Sequence, residues 1–212
     1  IQEEAQEEAM DPEAESGEAQ GEMTDPEGSV GQENPDVPPR AVRPPMDDGV
    51  TGYMEYTTDK LREPDDLYRS STPAISSIVS EIVAMEAPVH VEEVIRRIRE
   101  SCGLRRAGRR VRSIIGSAIE MAENNGNIKR EGDFLFLRES TPITVRKRTG
   151  RIDINLISPA EIEEAVKMAL KSPLTVDELT VRVARMFGFR NTSRKTSAGI
   201  RRVIDDMLAR GD

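Results

Sequence analysis

The sequence predicts a mainly α-helical protein with a small β wing, organised as tandem winged helix-turn-helix units after a disordered acidic N-terminal segment. Three observations predict this class. Residues 88–126 align without a gap with residues 173–211, at an offset of 85. A short hairpin pattern follows the first copy. The charge is divided between an acidic first third and a basic remainder. We expect the second wing to be truncated or missing, because the chain stops where that wing would begin.

The charge division predicts the N-terminal segment. Residues 1–70 carry 20 acidic and 5 basic side chains, whereas residues 71–212 carry 19 acidic and 25 basic ones. Seven of the 13 prolines lie in residues 1–50, which contain no aromatic residue. Such a segment buries too little apolar surface to offset the entropy of ordering, so residues 1–52 are predicted to be a disordered acidic linker. Residues 53–71 contain all three tyrosines and are predicted to be a partly ordered lead-in.

Residues 72–140 are predicted to form the first winged-helix domain. Thr72 is interpreted as the cap of a first helix, with Pro73 at its first position. His90 takes the cap position of a second helix, which stops at Gly103. A third helix is indicated by an apolar stripe at helical spacing, formed by Val111, Ile114, Ile115, Ala118, Ile119 and Ala122.

The wing is predicted from two short apolar runs. Ile128–Arg130 and Phe134–Leu137 flank a Glu-Gly-Asp turn, which is typical of a β-hairpin with a glycine-containing loop. Cys102 aligns with Phe187 in the repeat and is therefore interpreted as a small core residue.

The second unit repeats the helical devices of the first. Residues 141–157 are predicted to be a basic, extended connector, and residues 158–212 a second helix-turn-helix unit. Ser158 is interpreted as the cap of its first helix, and a capping box begins its second helix at Thr175. Gly188 stops that second helix.

The arginines divide into structural and candidate binding groups. Arg96 and Arg97 follow Glu92 and Glu93 by four residues, so they are interpreted as ion pairs on a solvated helix face. The five arginines in residues 105–112 lack such neighbours and lie at a helix start, which already attracts anions. Nucleic-acid contact is predicted for Arg105, Arg106, Arg109, Arg110, Arg112, Ser113, Lys129, Arg130, Arg146, Lys147, Arg148, Arg190, Arg194, Lys195 and Arg202.

The predicted contacts are mostly with phosphate. In helix-turn-helix proteins the second motif helix enters the major groove with its N-terminal residues first. The outer face of the third helix, which runs through Arg109, Ser113 and Glu120, has no Asn or Gln to read adenine. Clustered arginines mainly supply affinity and register. Base stacking is not favoured, because all four phenylalanines are interpreted as core or wing residues.

Catalysis and a membrane location are not predicted. The chain has no Gly-x-x-x-x-Gly-Lys motif, and its single His and single Cys cannot build a zinc site of nitrogen and sulfur ligands. We therefore expect no enzyme activity, no metal and no cofactor. No stretch approaches the roughly 18 apolar residues of a membrane span, and no signal peptide is visible. With its single cysteine, the chain is predicted to be cytoplasmic.

One segment resembles a known family. Glu86–Ala122, "EAPVHVEEVIRRIRESCGLRRAGRRVRSIIGSAIEMA", with the "GDFLF" of the wing, resembles a domain of unknown function near the C-terminus of large bacterial and archaeal superfamily I helicase-related proteins. The resemblance continues more weakly to Asp212. It implies helicase motor domains and an endonuclease-like domain upstream, as partners in the same protein. Since the chain also starts with Ile instead of Met, we expect it to be a fragment.

Two functions remain open from the sequence. The first is a non-catalytic nucleic-acid-binding accessory module that holds duplex DNA, rather than RNA, mainly by its phosphates. The alternative is a protein-docking winged-helix module that binds the upstream catalytic domains or the acidic linker. A stand-alone transcription regulator is less favoured, because it would need a second wing and a dimerisation helix.

Overall fold

The computed structural model describes residues 49–139 and 141–211, which are mainly helical with a few short strands. Most of the predicted acidic linker lies outside these residues. The helices are α1 (Pro64–Arg69), α2 (Thr72–Glu86), α3 (Val91–Ser101), α4 (Arg109–Asn124), α5 (Pro159–Ala169), α6 (Val176–Met186) and α7 (Arg194–Arg210). The strands are β1 (Thr51–Gly52), β2 (Val89–His90), β3 (Ile128–Glu131), β4 (Phe134–Leu137) and β5 (Arg146–Lys147).

Helices α2, α3 and α4 pack around one apolar core. Ile75, Ile98 and Ile115, one from each helix, are fully buried there. The predicted helix starts are close to those observed. His90 is confirmed as the cap of α3, because its Nδ1 accepts a hydrogen bond from the amide of Glu92 at 3.0 Å. The cap of α2, however, is Ser71; Thr72 is already helical, so the predicted start is one residue late.

The hairpin is confirmed and has an additional strand. β3 and β4 pair antiparallel around Gly132 and Asp133, and Gly132 has a φ of 60° that favours glycine. β2 pairs with the other edge of β4, so the strand order is β2-β4-β3. Two residues are too few to show a strand periodicity, which is why the sequence did not reveal β2. Ile128 and Leu135 hold the sheet against the core.

The second half has its own core, and its helices confirm the repeat. α6 and α7 begin 85 residues after α3 and α4, the offset at which the sequences align. Thr175 forms the predicted capping box, since its Oγ1 accepts from the amide of Glu178 and the Glu178 carboxylate accepts from the amide of Thr175. Ser158 is confirmed as the N-cap residue of α5. Phe187 is fully buried in this second core, as Cys102 is in the first.

The segment before α2 belongs to the fold. Leu61 and Leu67 are buried in the first core, and α1 carries Leu67. Thr51 and Gly52, which the sequence placed in the disordered linker, instead pair in parallel with Arg146 and Lys147 of β5. The predicted boundary at residue 52 is therefore wrong, because backbone pairing with a distant strand leaves no trace in local composition.

A buried carboxylate organises the region where this segment meets α2 and α3. Glu86 is fully buried, and its Oε1 accepts from Nε of Arg97 at 2.8 Å and from the amide of Tyr56 at 2.7 Å. Its Oε2 accepts from the hydroxyl of Tyr53. The prediction that Arg97 lies on a solvated face is thus wrong, since 2% of its side chain is exposed. Arg96 is more exposed and pairs with Glu93, three residues earlier.

Replacement of Glu86 should destabilise the fold strongly. Glu86→Ala leaves the Arg97 guanidinium buried with only longer contacts to Glu55 and Glu93, at 3.1 and 3.4 Å. Removal of one partner of a buried ion pair costs about 3–5 kcal/mol, and we expect the lower end because these carboxylates remain. Guanidinium unfolding followed by far-UV circular dichroism measures the loss. The exposed pair of Glu92 and Arg112 is the control: Glu92→Ala should cost about 1 kcal/mol or less. Equal losses would contradict the prediction.

Candidate nucleic-acid interface

The turn between α3 and α4 has a fixed backbone. Gly103 follows the C-cap of α3 with a φ of 66°, and the next residue, Leu104, packs onto the first core. The amide of Leu104 donates to the carbonyl of Arg99 at 3.0 Å. The guanidinium of Arg99 in turn donates to the carbonyl of Arg105 at 3.1 Å. Gly103 is therefore a helix stop, and Arg99 helps to hold the turn in place.

Four arginines surround this turn and the start of α4; we call Arg105, Arg106, Arg109 and Arg110 the arginine turn. All four are exposed, and within the part of the chain that the structure describes none of them has a carboxylate partner. α4 begins after Gly108 without a side-chain cap, and its first turn holds no acidic residue. The free amide groups of this helix start add to the positive potential of the four guanidinium groups.

The first helix of the chain contributes to the arginine turn. The guanidinium carbon of Arg110 lies 4.6 Å from the centroid of the Tyr68 ring, which α1 carries. A cation over an aromatic face is attracted to it and its orientation is restricted. The sequence gave Tyr68 no role in the site, because nothing local connects it with a residue 42 positions later.

The outer face of α4 agrees with the prediction, with one correction. Ser113 is exposed one turn after Arg109. Arg112 is instead held by a two-pronged ion pair, with Nη1 and Nη2 at 2.5 and 2.8 Å from the carboxylate oxygens of Glu92. Hydrogen bonding to Arg112 lowers the pKa of Glu92. The residue that aligns with Glu92 in the second unit, Asp177, pairs with Arg201 of α7, so the pair joins the same two helices in both units.

Two residues of the predicted site lie in the interior. Arg146 is buried, and its Nη2 lies 2.9 Å from Oε2 of Glu161, while its Nη1 donates to the carbonyl of Glu86 at 2.8 Å. Arg148 binds both oxygens of the same Glu161 at 3.0 and 2.9 Å. Burial alone would raise the pKa of Glu161, but the two arginines outweigh it and lower that pKa. The assignment of Arg146 and Arg148 to a binding surface is therefore corrected: they tie the connector to α5 and α2.

The wing residues do not extend the arginine turn. Lys129 pairs with Glu131 at 2.9 Å and lines a recess that also contains Glu139 and Ala160. The Nε of Arg130 donates to the carbonyl of Gly132 at 3.0 Å. Both side chains are thus engaged within the hairpin or next to the connector.

In the second unit the predicted basic residues separate into three groups. Lys195 pairs with Asp153 at 2.8 Å. Arg194 and Arg202 are exposed on α7 without an ion-pair partner among the described residues. Lys147 and Arg190 line one groove of about 870 Å³ between the connector and the α6–α7 turn.

Two further groove residues were missed from the sequence, Arg185 and Phe189. A usable signal for Arg185 was present, since it lies in the last turn of α6, just before the Gly188 stop. Phe189 was interpreted only as a core residue; it packs against the second core and lines the groove as well.

Other kinds of site were sought in the same residues. Residues 49–139 and 141–211 contain no group of three or more His, Cys, Asp or Glu side chains that could hold a metal ion. No helix within these ranges has the length and apolar character needed to cross a membrane. The Cys102 thiol is fully buried, and burial raises its pKa to about 11, so it does not act as a nucleophile in the folded protein.

The sequence relationship ends at the arginine turn. Residues 65–113 match the family described as "Protein of unknown function (DUF3320)". No curated protein matches the chain, and no solved structure does. The matched segment runs from α1 to the first turn of α4 and so contains all four arginines of the turn. Residues 65–113 of this chain are thus similar to a family whose function is unknown.

Proposed function

We propose that each half of the described chain is a winged helix-turn-helix unit, the second without a wing in the residues described. Support comes from three helices closed by a hairpin in the first half, with the strand order β2-β4-β3. In this interpretation α3 and α4 are the helix-turn-helix pair and the arginine turn is its turn. The helix starts at an offset of 85 support the same assignment for α6 and α7.

We further propose that the chain is a non-catalytic accessory module that binds duplex DNA through the arginine turn. The observation that carries this proposal is the set of four exposed guanidinium groups around an uncapped helix start, without a carboxylate partner among the described residues. An exposed arginine usually finds an acidic neighbour in a chain with 39 acidic residues, as Arg112 does here. A cluster that leaves its charge uncompensated suits a ligand that brings negative charge.

Phosphate is the better-supported target than base edges. Four guanidinium groups within six residues match closely spaced phosphates, and helix N-termini bind phosphate through their amide groups. Ser113 and Ser117 keep the next two turns of α4 low, while Glu120 would repel a backbone that continued along the helix. Contact should therefore be confined to the first half of α4 and give little choice of sequence.

The salt dependence of binding tests this proposal. The full chain is titrated into a fluorescein-labelled 20-base-pair duplex at several KCl concentrations, and anisotropy gives the affinity. Each phosphate neutralised on duplex DNA contributes about −0.9 to the slope of log affinity against log salt, so four arginines should give a slope of about −4. The triple variant Arg105→Ala, Arg106→Ala, Arg109→Ala should lower the slope to about −1 and weaken binding of unrelated sequences alike.

A control variant of equal charge makes the result specific. Arg138, Lys167 and Lys171 are also exposed, and their triple replacement by alanine removes the same charge far from the turn in sequence. This control should keep the wild-type slope. Binding that is flat with salt, or a control that weakens binding as much as the turn variant does, would overturn the proposal.

The resemblance of Glu86–Ala122 supports a place beside helicase and endonuclease-like domains of a larger protein. There the module would hold DNA while the motor acts. The alternative, that the arginine turn docks an acidic protein surface or the acidic residues 1–48, makes a distinct prediction. In that case an acidic partner would bind the turn and excess duplex would fail to displace it. If duplex competes, the turn is a DNA site.

A further inference from the structure

The groove between the connector and the α6–α7 turn has the composition of a nucleic-acid site. We call it the connector groove. Lys147, Arg185 and Arg190 line it and are exposed, and none of them has an ion-pair partner in the described ranges. None of its lining residues is acidic, and Phe189 supplies an aromatic ring. The uncompensated cations and the ring are the two features that single-strand binding sites combine.

The groove is a built feature of the second unit. Gly188 lies so close to the connector that a Cβ placed on it would be 2.3 Å from the carbonyl oxygen of Arg148. The amide of Arg148 donates to the carbonyl of Phe187 at 2.9 Å, which fixes the connector over the turn. Gly103, the equivalent residue of the first unit, has open space around it. Only the second unit therefore places connector residues beside its turn, and these include Lys147.

We propose that the connector groove binds single-stranded nucleic acid, with Lys147, Arg185 and Arg190 on its phosphates and a base against Phe189. This inference rests on the proposed function for the class of ligand and assigns it a second site of different shape. A recess suits a single strand because its bases are free to turn inward. Duplex DNA keeps its bases paired in the helix interior and could offer only phosphate to this groove.

The groove's walls leave its cations free to act. Arg148 also lines the groove, but its guanidinium is held by Glu161 and lies 4.6 Å from the Tyr53 ring centroid. Arg148 thus shapes the wall, and the binding contacts fall to the three free cations. Phe189 packs partly on the second core, which holds its ring in place before a base arrives.

Binding of a labelled single strand of 15 thymidines to the full chain tests the groove. The double variant Arg185→Ala, Arg190→Ala should weaken binding at least tenfold, and Phe189→Leu, which keeps an apolar side chain on the core, should weaken it about tenfold. The matched control is Arg194→Ala, Arg202→Ala, which removes two exposed charges of the same unit outside the groove. This control should bind within about twofold of wild type. Equal losses in the two double variants would overturn the inference.

Crosslinking gives a readout that charge alone cannot produce. A strand with 5-iodouracil in place of thymine should crosslink under light to the peptide containing Phe189, and Phe189→Leu should abolish this product. Crosslinks confined to other peptides would overturn the inference. So would binding of thymidine monophosphate that matches the strand in affinity, because the groove would then be a mononucleotide site. An acidic peptide that displaces the strand from the wild type and binds the Phe189→Leu variant equally well would also count against base contact.

The two proposals fail separately. If the chain binds the single strand through the groove but does not bind duplex, the arginine turn proposal is wrong and the groove stands. If duplex binds with the expected salt slope and the single strand does not bind at low salt, the groove inference is wrong and the proposed function stands.

Discussion

Glu161→Ala is expected to destabilise the protein by about 3–5 kcal/mol, because it removes the only carboxylate that the structure shows against two enclosed guanidinium groups. Arg146 and Arg148 have 10% and 12% of their side chains exposed. Without Glu161, Arg146 keeps hydrogen bonds to the carbonyls of Glu86 and Pro88, and these are neutral acceptors. Chemical unfolding followed by far-UV circular dichroism measures the loss.

The matched control for this variant lies on the same helix. Glu164 is 41% exposed and reaches Lys167 only at 4.0 Å, so Glu164→Ala should cost less than about 1 kcal/mol while it changes helix propensity equally. Glu161→Gln should fall between the two, because an amide keeps hydrogen-bond acceptors without the charge. If Glu161→Ala and Glu164→Ala cost the same, the ion pairs contribute nothing and the prediction fails.

The same carboxylate should leave a mark on the pH dependence of stability. Its pKa is lowered in the folded protein, since Arg148 and Arg146 outweigh the effect of burial. The stabilisation is therefore fully present above the ordinary Glu pKa of about 4.3 and is lost as the pH falls through the lower folded-state pKa. Glu161→Gln should show a flatter fall in stability than wild type below that pH. Parallel curves for the two proteins would contradict this assignment.

Local patterns predicted the helices well, because each signal lies within a few residues of its effect. The capping box at Thr175, the stop at Gly103 and the hairpin around Gly132 are all of this kind. The gapless repeat added a second, independent copy of each helix signal. That redundancy explains why the predicted helix starts of both units agree with the structure to within one residue.

Predictions about charged side chains depended on long-range neighbours and were less successful. Arg97 has an acidic residue four positions earlier, but it is the carboxylate of Glu86, on another helix, that draws it into the interior. Arg146 lies in a run that looks like an exposed basic patch, yet Glu161 of α5 buries it. By contrast, the arginine turn stays exposed because its tight backbone holds it away from every acidic helix face. Sequence reasoning can list cations, and only the fold tells which of them are compensated.

The second large effect is expected from Gly188→Ala, which should destabilise the second unit more than the equivalent change, Gly103→Ala, destabilises the first. Both glycines have a positive φ, 97° and 66°, so each substitution carries a backbone cost of about 1–2 kcal/mol. At Gly188 the added Cβ would also meet the carbonyl oxygen of Arg148, whereas at Gly103 it would meet nothing within 4 Å. Overpacking of this kind adds about 1–3 kcal/mol.

The comparison isolates the contact between the connector and the turn, because the two variants differ mainly in that contact. Unfolding in urea, followed by far-UV circular dichroism, gives both losses. Relief of the clash would require the connector to move away from the α6–α7 turn, and this would also widen the groove that Lys147 and Arg190 line. Gly188→Ala should therefore weaken single-strand binding, while Gly103→Ala should leave it unchanged. Equal stability losses would mean that the connector yields without cost, and the groove would then lack the fixed wall that its proposed function requires.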